Sequence, residues 1–543
     1  LRTIGEVNTH GELSAIASGA ITKGSPVVIN NDGTVSAVTG TYRNSSFGTA
    51  VQIDGTNTSS QVQGCMVGSG KFAVIYKKST DNEGYAKIGT ISGTSITFGS
   101  EFNFSSGYQA NYINIMYIPS VDRVVFAYQA LTGNNLGYIR VATPNTSTNT
   151  FDTLGTAVEI GTSSSDADYY FGLAYDIEAA RIICVYTDAY YSPNHSYGRP
   201  FQIDTSTNAL TGGSKAELPK KPATGGTGIT AQHPTGVYDT QNNNTVWVYR
   251  DDNNAGCFTA CQGYVTNLSG AGTMNWSASS TPTGAGRTCT ATAGVLDSGV
   301  NKGYFAFDGD DYGTMIIGIY SRSPDSSAPL SNSNTNFNLD HDKGGHGGAD
   351  LDIAYDSTGQ KLIVFHHDAK SNKNMYLVNF HRSDSTSANF VRHFKKDIVE
   401  YPSTNTSGSS EKCSIFYDSV SDQCILLYRS DKVVNGTAGH YLVAQTYKNP
   451  RATSTITTHI LNKFTGFAKS GAANGDGVTI QTKGSILRGQ SGLVAGTEYY
   501  VQSDGSLQTA ENWLPVDAGL SSPYPAKPFA GTAISATELR IKG

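Results

Sequence analysis

Charge is scarce in this chain. Only 15% of its 543 residues are Asp, Glu, Lys or Arg, against roughly 25% in ordinary soluble domains. The 38 basic and 44 acidic residues leave a formal net charge of −6 and are scattered along the sequence. No stretch resembles the basic stripe that tracks a phosphate backbone, which argues against nucleic-acid binding. No apolar run approaches the ~20 residues a helix needs to cross a bilayer, and the first residues, LRTIGEVNTH, hold no apolar core of the signal-peptide kind. Methionine (5) and tryptophan (3) are rare. The seven cysteines, Cys65, Cys184, Cys257, Cys261, Cys289, Cys413 and Cys424, are odd in number and irregular in spacing. That argues against a full disulfide framework, and they read as small buried side chains in a chain assembled in a reducing cytoplasm. Cys257 and Cys261 form C-x-x-x-C with no second pair nearby, too little for a zinc site. No G-x-S-x-G elbow, P-loop or dinucleotide fingerprint sits in a strand-turn-helix setting.

What is abundant is the material of strands and turns: 60 glycines, 31 tyrosines and much Ser, Thr and Asn. A motif recurs. YDSTGQKLIVFHHD begins at Tyr355, and the same apolar strand, polar turn and more apolar strand return as YIPSVDRVVFAY from Tyr117, YDIEAARIICVY from Tyr175, YDTQNNNTVWVY from Tyr238, LDSGVNKGYFAF from Leu296 and YDSVSDQCILLY from Tyr417. The anchors stand 58 to 63 residues apart, and a weaker copy, CMVGSGKFAVIY, precedes them at 65–76. A third, alternating strand and a looser Ser/Thr-rich fourth follow each copy. Four antiparallel strands per ~60 residues, repeated about seven times, predict a β-propeller, in which blades cover one another's faces around an axis. The runs VVFAY, IICVY, LIVFH and ILLY would be strands buried on both faces.

The expected fold class is therefore all-β: an N-terminal β module over 1–55, propeller repeats over 56–460 and a C-terminal β module over 461–543. The two flanks hold twin hairpins. TKGSPVVINNDGTVS (22–36) and VAGTEYYVQSDGSLQT (494–509) align without a gap when Gly24 is set on Gly496, placing Asp32-Gly33 on Asp504-Gly505. They are either two generic hairpins or two related modules.

The tail from about 461 combines F-x-G-x-A, a Gly-rich turn into VTIQTKG, SGLVAGTEYYVQSDG and a closing GTAISATELRIKG. This linked set resembles the C-terminal modules of tail-fibre and other virion surface proteins of marine bacteriophages, and the Tyr-Asp repeats are similar to propeller-like regions of such proteins. The resemblance implies a virion component assembled in the host cytoplasm and exposed on the particle. It implies other virion proteins and a host surface glycan or protein as partners, a homo-oligomer with a trimer as first guess, and no catalytic residue. The competing readings are a polysaccharide-acting propeller enzyme and a secreted bacterial lectin or surface-layer protein.

Candidate chemistry is sparse. His341, His346, Asp340, Asp342, Asp350 and Asp352 crowd LDHDKGGHGGADLD, yet their spacing fits no tetrahedral site, and a solvated loop is the expected reading. FDGDDYG (307–313) offers hard oxygen ligands but lacks the distal bidentate glutamate of a calcium loop; turn formation is expected, with structural calcium the alternative and no other cofactor. The S-x-D-x-G-x-x-W/F box of sialidase-like propellers is approached only by STDNEGY (79–85), with the glycine misplaced. Tyr169, Tyr170, Tyr190 and Tyr191 fall in loops and are candidates to stack on sugars or on a partner subunit. His366, His367 and Asp368, where the chain leaves its most apolar strand, are the remaining candidate receptor contacts.

Overall fold

The computed structural model describes residues 11–55, 60–132, 135–161, 168–189, 194–219, 230–254, 256–277, 289–297, 302–309, 313–321, 330–333, 351–367, 375–382, 390–399, 413–430, 441–454, 463–510, 512–513 and 527–542. The chain divides into two compact units, one of residues 47–381 and 388–448, the other of 1–46, 382–387 and 449–543.

Among the described residues the larger unit comprises seven antiparallel sheets. Asp168–Asp176, Arg181–Asp188, His195–Asp204 and Ala209–Gly212 pair in that order and represent the rest. The first strands of the seven sheets are Ser60–Gly68, Ala110–Ile118, Asp168–Asp176, Ala231–Asp239, Cys289–Asp297, Leu351–Asp356 and Ser414–Asp418. Each lies beside the next, and the seventh returns to the first, so the ring is closed around an axis. Second strands sit mid-sheet with a blade against either face, which is why their central residues are apolar: Ile182 to Tyr186 are buried, as are Phe72 to Tyr76. Burying each such Val, Ile, Leu or Phe stabilises the ring by about 1.5–3 kcal/mol.

The recurring Tyr-Asp pair is a turn device. Its aspartate ends the inner strand and accepts hydrogen bonds from backbone N–H groups of the four-residue turn: Ala179 on Asp176 at 2.9 Å, Gln241 on Asp239 at 2.8 Å, Gly359 on Asp356 at 2.8 Å and Val420 on Asp418 at 3.1 Å. The turn closes on a left-handed residue, Asp122, Ala180, Asn243, Gln360 or Asp422, with φ of 51–52°. The tyrosine reaches over the turn. The Tyr417 hydroxyl lies 2.8 Å from both Asp422 and Thr358 of the preceding blade, and the Tyr238 hydroxyl accepts the Glu178 N–H of its predecessor at 3.3 Å.

A second device follows the turn. In four blades the long polar residue opening the second strand reaches the outer turn of the next blade: Lys71 to Asn149 (2.6 Å), Arg123 to Asn208 (2.5 Å), Arg181 to the Ala271 carbonyl (3.2 Å) and, across the closure, Gln423 to the Gly93 carbonyl (2.9 Å).

The seventh blade differs from expectation. Its outer strand comes from upstream of the repeats, Val51–Gln52 pairing with Tyr441–Lys448, the Gly48 N–H bonding Thr446 at 2.9 Å and the Phe47 ring meeting Tyr447 at 5.0 Å. Residues 47–55, expected in the N-terminal module, thus belong in part to the propeller. An open ring would expose a strand edge there, and pairing with the far end of the chain removes it.

The smaller unit holds two five-stranded sheets. One joins Glu12–Ile16, Pro26–Ile29 and Val35–Ala37 to Phe464–Ala468 and Gly477–Gln481; the other contains Ile486–Arg488, Glu498–Val501, Leu507–Gln508, Phe529–Ala533 and Glu538–Ile541. The stretches expected as separate N- and C-terminal modules therefore share strands. Val28 and Phe467, too apolar for an exposed face, are buried together against Tyr499, Val501 and Leu539.

Candidate functional site

The inner strands are not regular. In the first five blades the pairing with the second strand slips at one equivalent place, between Ser60 and Val62, Asn111 and Asn114, Tyr169 and Gly172, Gln232 and Thr235, and Cys289 and Thr292. In four successive blades the bulge holds a non-glycine residue in the left-handed region: Gln61 (φ 53°), Tyr112 (48°), Tyr170 (57°) and His233 (49°). A bulge of this hand ordinarily takes glycine, and a bulky side chain there is strained. Such strain persists where surrounding structure enforces it and gathers at functional sites.

The four side chains form an arc. Tyr112 and Tyr170 have ring centroids 5.0 Å apart, Tyr170 and His233 also 5.0 Å, and Tyr169 closes on Tyr112 at 5.9 Å and Tyr170 at 5.1 Å. Gln61 begins the arc, its amide donating to the Asn111 side chain. Asn194 donates to the Tyr169 hydroxyl at 2.5 Å and fixes that ring. Burial first, then Tyr112, Asp252 and Tyr169, push the Tyr170 phenol up to about 12, so it is a neutral hydroxyl at ordinary pH.

Tyr170 and His233 also line an axial cavity of about 250 Å³ to which the inner strands of all seven blades contribute. Side chains tie neighbouring inner strands around it. Asn114 donates to the Phe171 carbonyl at 2.7 Å, Thr235 to that of Thr292 at 3.2 Å, and Ser414 to the Asp352 carboxylate at 2.9 Å. Asp352 also accepts the Ile415 and Ile353 N–H groups at 2.9 and 2.8 Å. Among the described residues lining the cavity it is the one carboxylate, and no Lys or Arg joins it. Glycoside hydrolysis by paired carboxylates needs a second acid about 5–10 Å away. The arrangement present suits recognition of a ligand with hydroxyl groups: aromatic faces to stack on, and amide, hydroxyl and imidazole groups to pair with.

Of the sequence candidates, Tyr169 and Tyr170 come together at this site. Tyr190, Tyr191 and Asp368 lie outside the described residues, as do His341, His346, Asp310 and Asp311. His367 ends the strand Lys361–His367, and its side chain is likewise outside them. His366 is corrected: it is no rim residue but 1% exposed, stacked on Tyr376 at 5.6 Å. It occupies the place of a core aromatic, eleven residues after the anchor, where the other blades carry Tyr128, Tyr186, Tyr249, Phe307 and Tyr428. The cross-strand pairs Tyr128–Tyr138 and Tyr186–Tyr197, both 6.0 Å apart, are its equivalents. Sequence reasoning missed Gln61, Tyr112 and His233. The signal was positional, because Tyr112, Tyr170 and His233 each precede their anchor tyrosine by five residues.

All seven cysteines are free thiols, six of them buried. Among the described residues no group of three or more His, Cys, Asp or Glu side chains is arranged to hold a metal.

The closed ring of seven sheets with its axial cavity defines a β-propeller, and the class rests on those sheets. No family model matches the chain, and no curated protein does. Solved structures similar to it include a Trypanosoma rangeli sialidase, with 10% identity and a TM-score of 0.38, covering 74% of this chain and 59% of that one. The Dos1 propeller has 11% identity and a TM-score of 0.38, covering 74% of this chain and 95% of that one. The Hadza microbial sialidase Hz136 has 8% identity and a TM-score of 0.37, covering 80% and 94%.

Proposed function

We propose that the protein is a bacteriophage virion structural and adhesion component, a tail fibre or another tail-associated part, whose propeller attaches to a glycan of the host surface. The observation that carries the recognition half is the strained arc of Gln61, Tyr112, Tyr170 and His233 above a polar axial cavity. Aromatic faces held rigid before binding lose little entropy when a sugar ring stacks on them. The virion half is supported by the tail motifs, VTIQTKG through SGLVAGTEYYVQSDG to GTAISATELRIKG. Assembly with other virion proteins and with further copies of the chain falls to the unit that contains them, a trimer being the first arrangement to look for.

The test has two arms. The protein should co-purify with phage particles in fixed copy number, and its absence from them would sink the virion reading. The isolated full chain should bind host cells or their extracted surface glycan, with Tyr112→Ala and Tyr170→Ala each weakening binding at least about tenfold. Unchanged binding would refute the site. Release of sugar fragments, lost in Asp352→Asn, would replace adhesion with a glycan-cleaving enzyme.

A further inference from the structure

The two five-stranded sheets of the smaller unit are one module twice. Read from edge to edge, the first runs Glu12–Ile16, Gly477–Gln481, Phe464–Ala468, Pro26–Ile29, Val35–Ala37. The second runs Ile486–Arg488, Glu538–Ile541, Phe529–Ala533, Glu498–Val501, Leu507–Gln508. Numbered along each module, both orders are first, fifth, fourth, second, third.

The correspondence extends to single bonds. Gly24 N–H donates to the Ala468 carbonyl at 2.8 Å, and Gly496 to Ala533 at 2.8 Å. Ala468 returns a bond to Ser25 at 2.9 Å, and Ala533 to Thr497 at 2.9 Å. Asn30 bonds Thr34 and Gln502 bonds Ser506, each at 2.8 Å. Gly24 and Gly496 have φ of 84° and 83°, Gly33 and Gly505 of 85° and 87°. Both sheets carry a bulge after the same residue, Val27 opposite Gly466 and Tyr499 opposite Gly531. A Cβ on either glycine would stand 2.0 Å from a carbonyl oxygen of the next strand, that of Gln481 or Arg540. Two unrelated hairpins would share a turn; they would not share a five-strand order, a bulge and the glycine behind it.

One difference remains. Between third and fourth strands the second copy has residues 509–528, whereas the first has 38–463, which contain the whole propeller. We infer that the chain is a tandem duplication of a five-stranded module, and that the propeller is an insertion between the third and fourth strands of the first copy, folding as a unit of its own. The strand of residues 51–52 that closes the seventh blade fits this. An inserted ring must begin and end near one place, and sharing a blade between its two ends achieves that. For the adhesion reading, on which this consequence rests, recognition is carried by the insert and assembly by the duplicated host module.

The test needs no ligand, so it stands apart from the adhesion assay. In the full chain, Gly466→Ala and Gly531→Ala are compared with the parent by site-resolved hydrogen exchange. Each should speed exchange at least about tenfold in its own sheet, at Val28 and Ala468 or at Tyr500 and Ala533, and less than about twofold at Val125, Ile183 and Leu426 of the propeller. Loss of propeller protection in step with the host sheet would overturn the insertion as an independent unit. Tolerance of one glycine substitution and not the other would overturn the equivalence of the copies. If neither variant is recovered folded, urea titration of the parent chain followed by the same amides decides: separate transitions for the two sets sustain the inference, and a single shared transition refutes it.

Discussion

The strain at the bulges can be measured, with Tyr170 the place to do it. Its ring meets Tyr112, Tyr169 and His233 at 5.0–5.1 Å. At about 0.5–1.5 kcal/mol for each aromatic contact, truncation should destabilise the propeller by about 2–4 kcal/mol. Alanine and glycine variants lose these contacts equally, but they differ in backbone. At an ordinary strand position glycine is less stable than alanine by about 0.5–1 kcal/mol. At φ 57° the order reverses, because a Cβ there costs about 1–2 kcal/mol. Tyr170→Gly should therefore be more stable than Tyr170→Ala by about 1 kcal/mol, while Ala127→Gly, in the regular buried second strand of the neighbouring blade, should be destabilising. Urea titrations followed through the fluorescence of Trp247, fully buried in the same unit, give the midpoints at a common slope. If Tyr170→Ala equals or exceeds Tyr170→Gly in stability, the bulge is not strained and strain does not mark the site. Both variants should lose ligand binding, so the more stable of the two remains non-binding and separates folding from recognition.

Three further outcomes follow from the blades. Arg181 bonds the carbonyls of Ala179 and Ala180 at 2.9 Å and that of Ala271 in the next blade at 3.2 Å; Arg181→Met should cost about 2–3 kcal/mol in urea titration, and Arg181→Lys should recover less than half because one ammonium cannot replace the fork. Ala180→Gly, at a left-handed turn position with φ 51°, should raise stability by about 1 kcal/mol, read as a higher urea midpoint. Burial pushes the Lys302 ammonium down to about 7, below the ~10.4 of an exposed lysine, so the unfolded chain binds more protons between these values. Stability should thus rise with pH across that window, and Lys302→Met should flatten the rise when urea midpoints are compared at about pH 7 and pH 9.5.

How far the sequence could be read depends on where each signal lay. The second strands announced themselves because a strand packed on both faces must be apolar along its centre, and VVFAY or IICVY has no other explanation at that spacing. The number of blades followed from the anchors. The strand closing the seventh blade did not, since Val51–Gln52 is two residues long and its partner lies almost four hundred residues away. Strand exchange between the ends of the chain was visible only as a likeness between two hairpins. His366 misled because it stands next to the point where the chain leaves the strand, while its distance from Tyr355 puts it at a core position, 1% exposed. The same reckoning from the anchor, applied to the start of the inner strand, finds the site. Five residues before the anchor, at Tyr112, Tyr170 and His233, the backbone bulges and the residue packs on its neighbours in the arc, so that position varies between tyrosine and histidine among the blades. Eleven residues after the anchor the side chain lies in the core. A propeller of this kind therefore writes its fold and its recognition surface into the same repeat, at offsets of opposite sign from one tyrosine. That makes a direct substitution test available. His233→Tyr, the residue type of Tyr112, should alter ligand preference and leave the unfolding free energy from urea titration within about 0.5 kcal/mol, whereas His366→Asp should unfold the sixth blade.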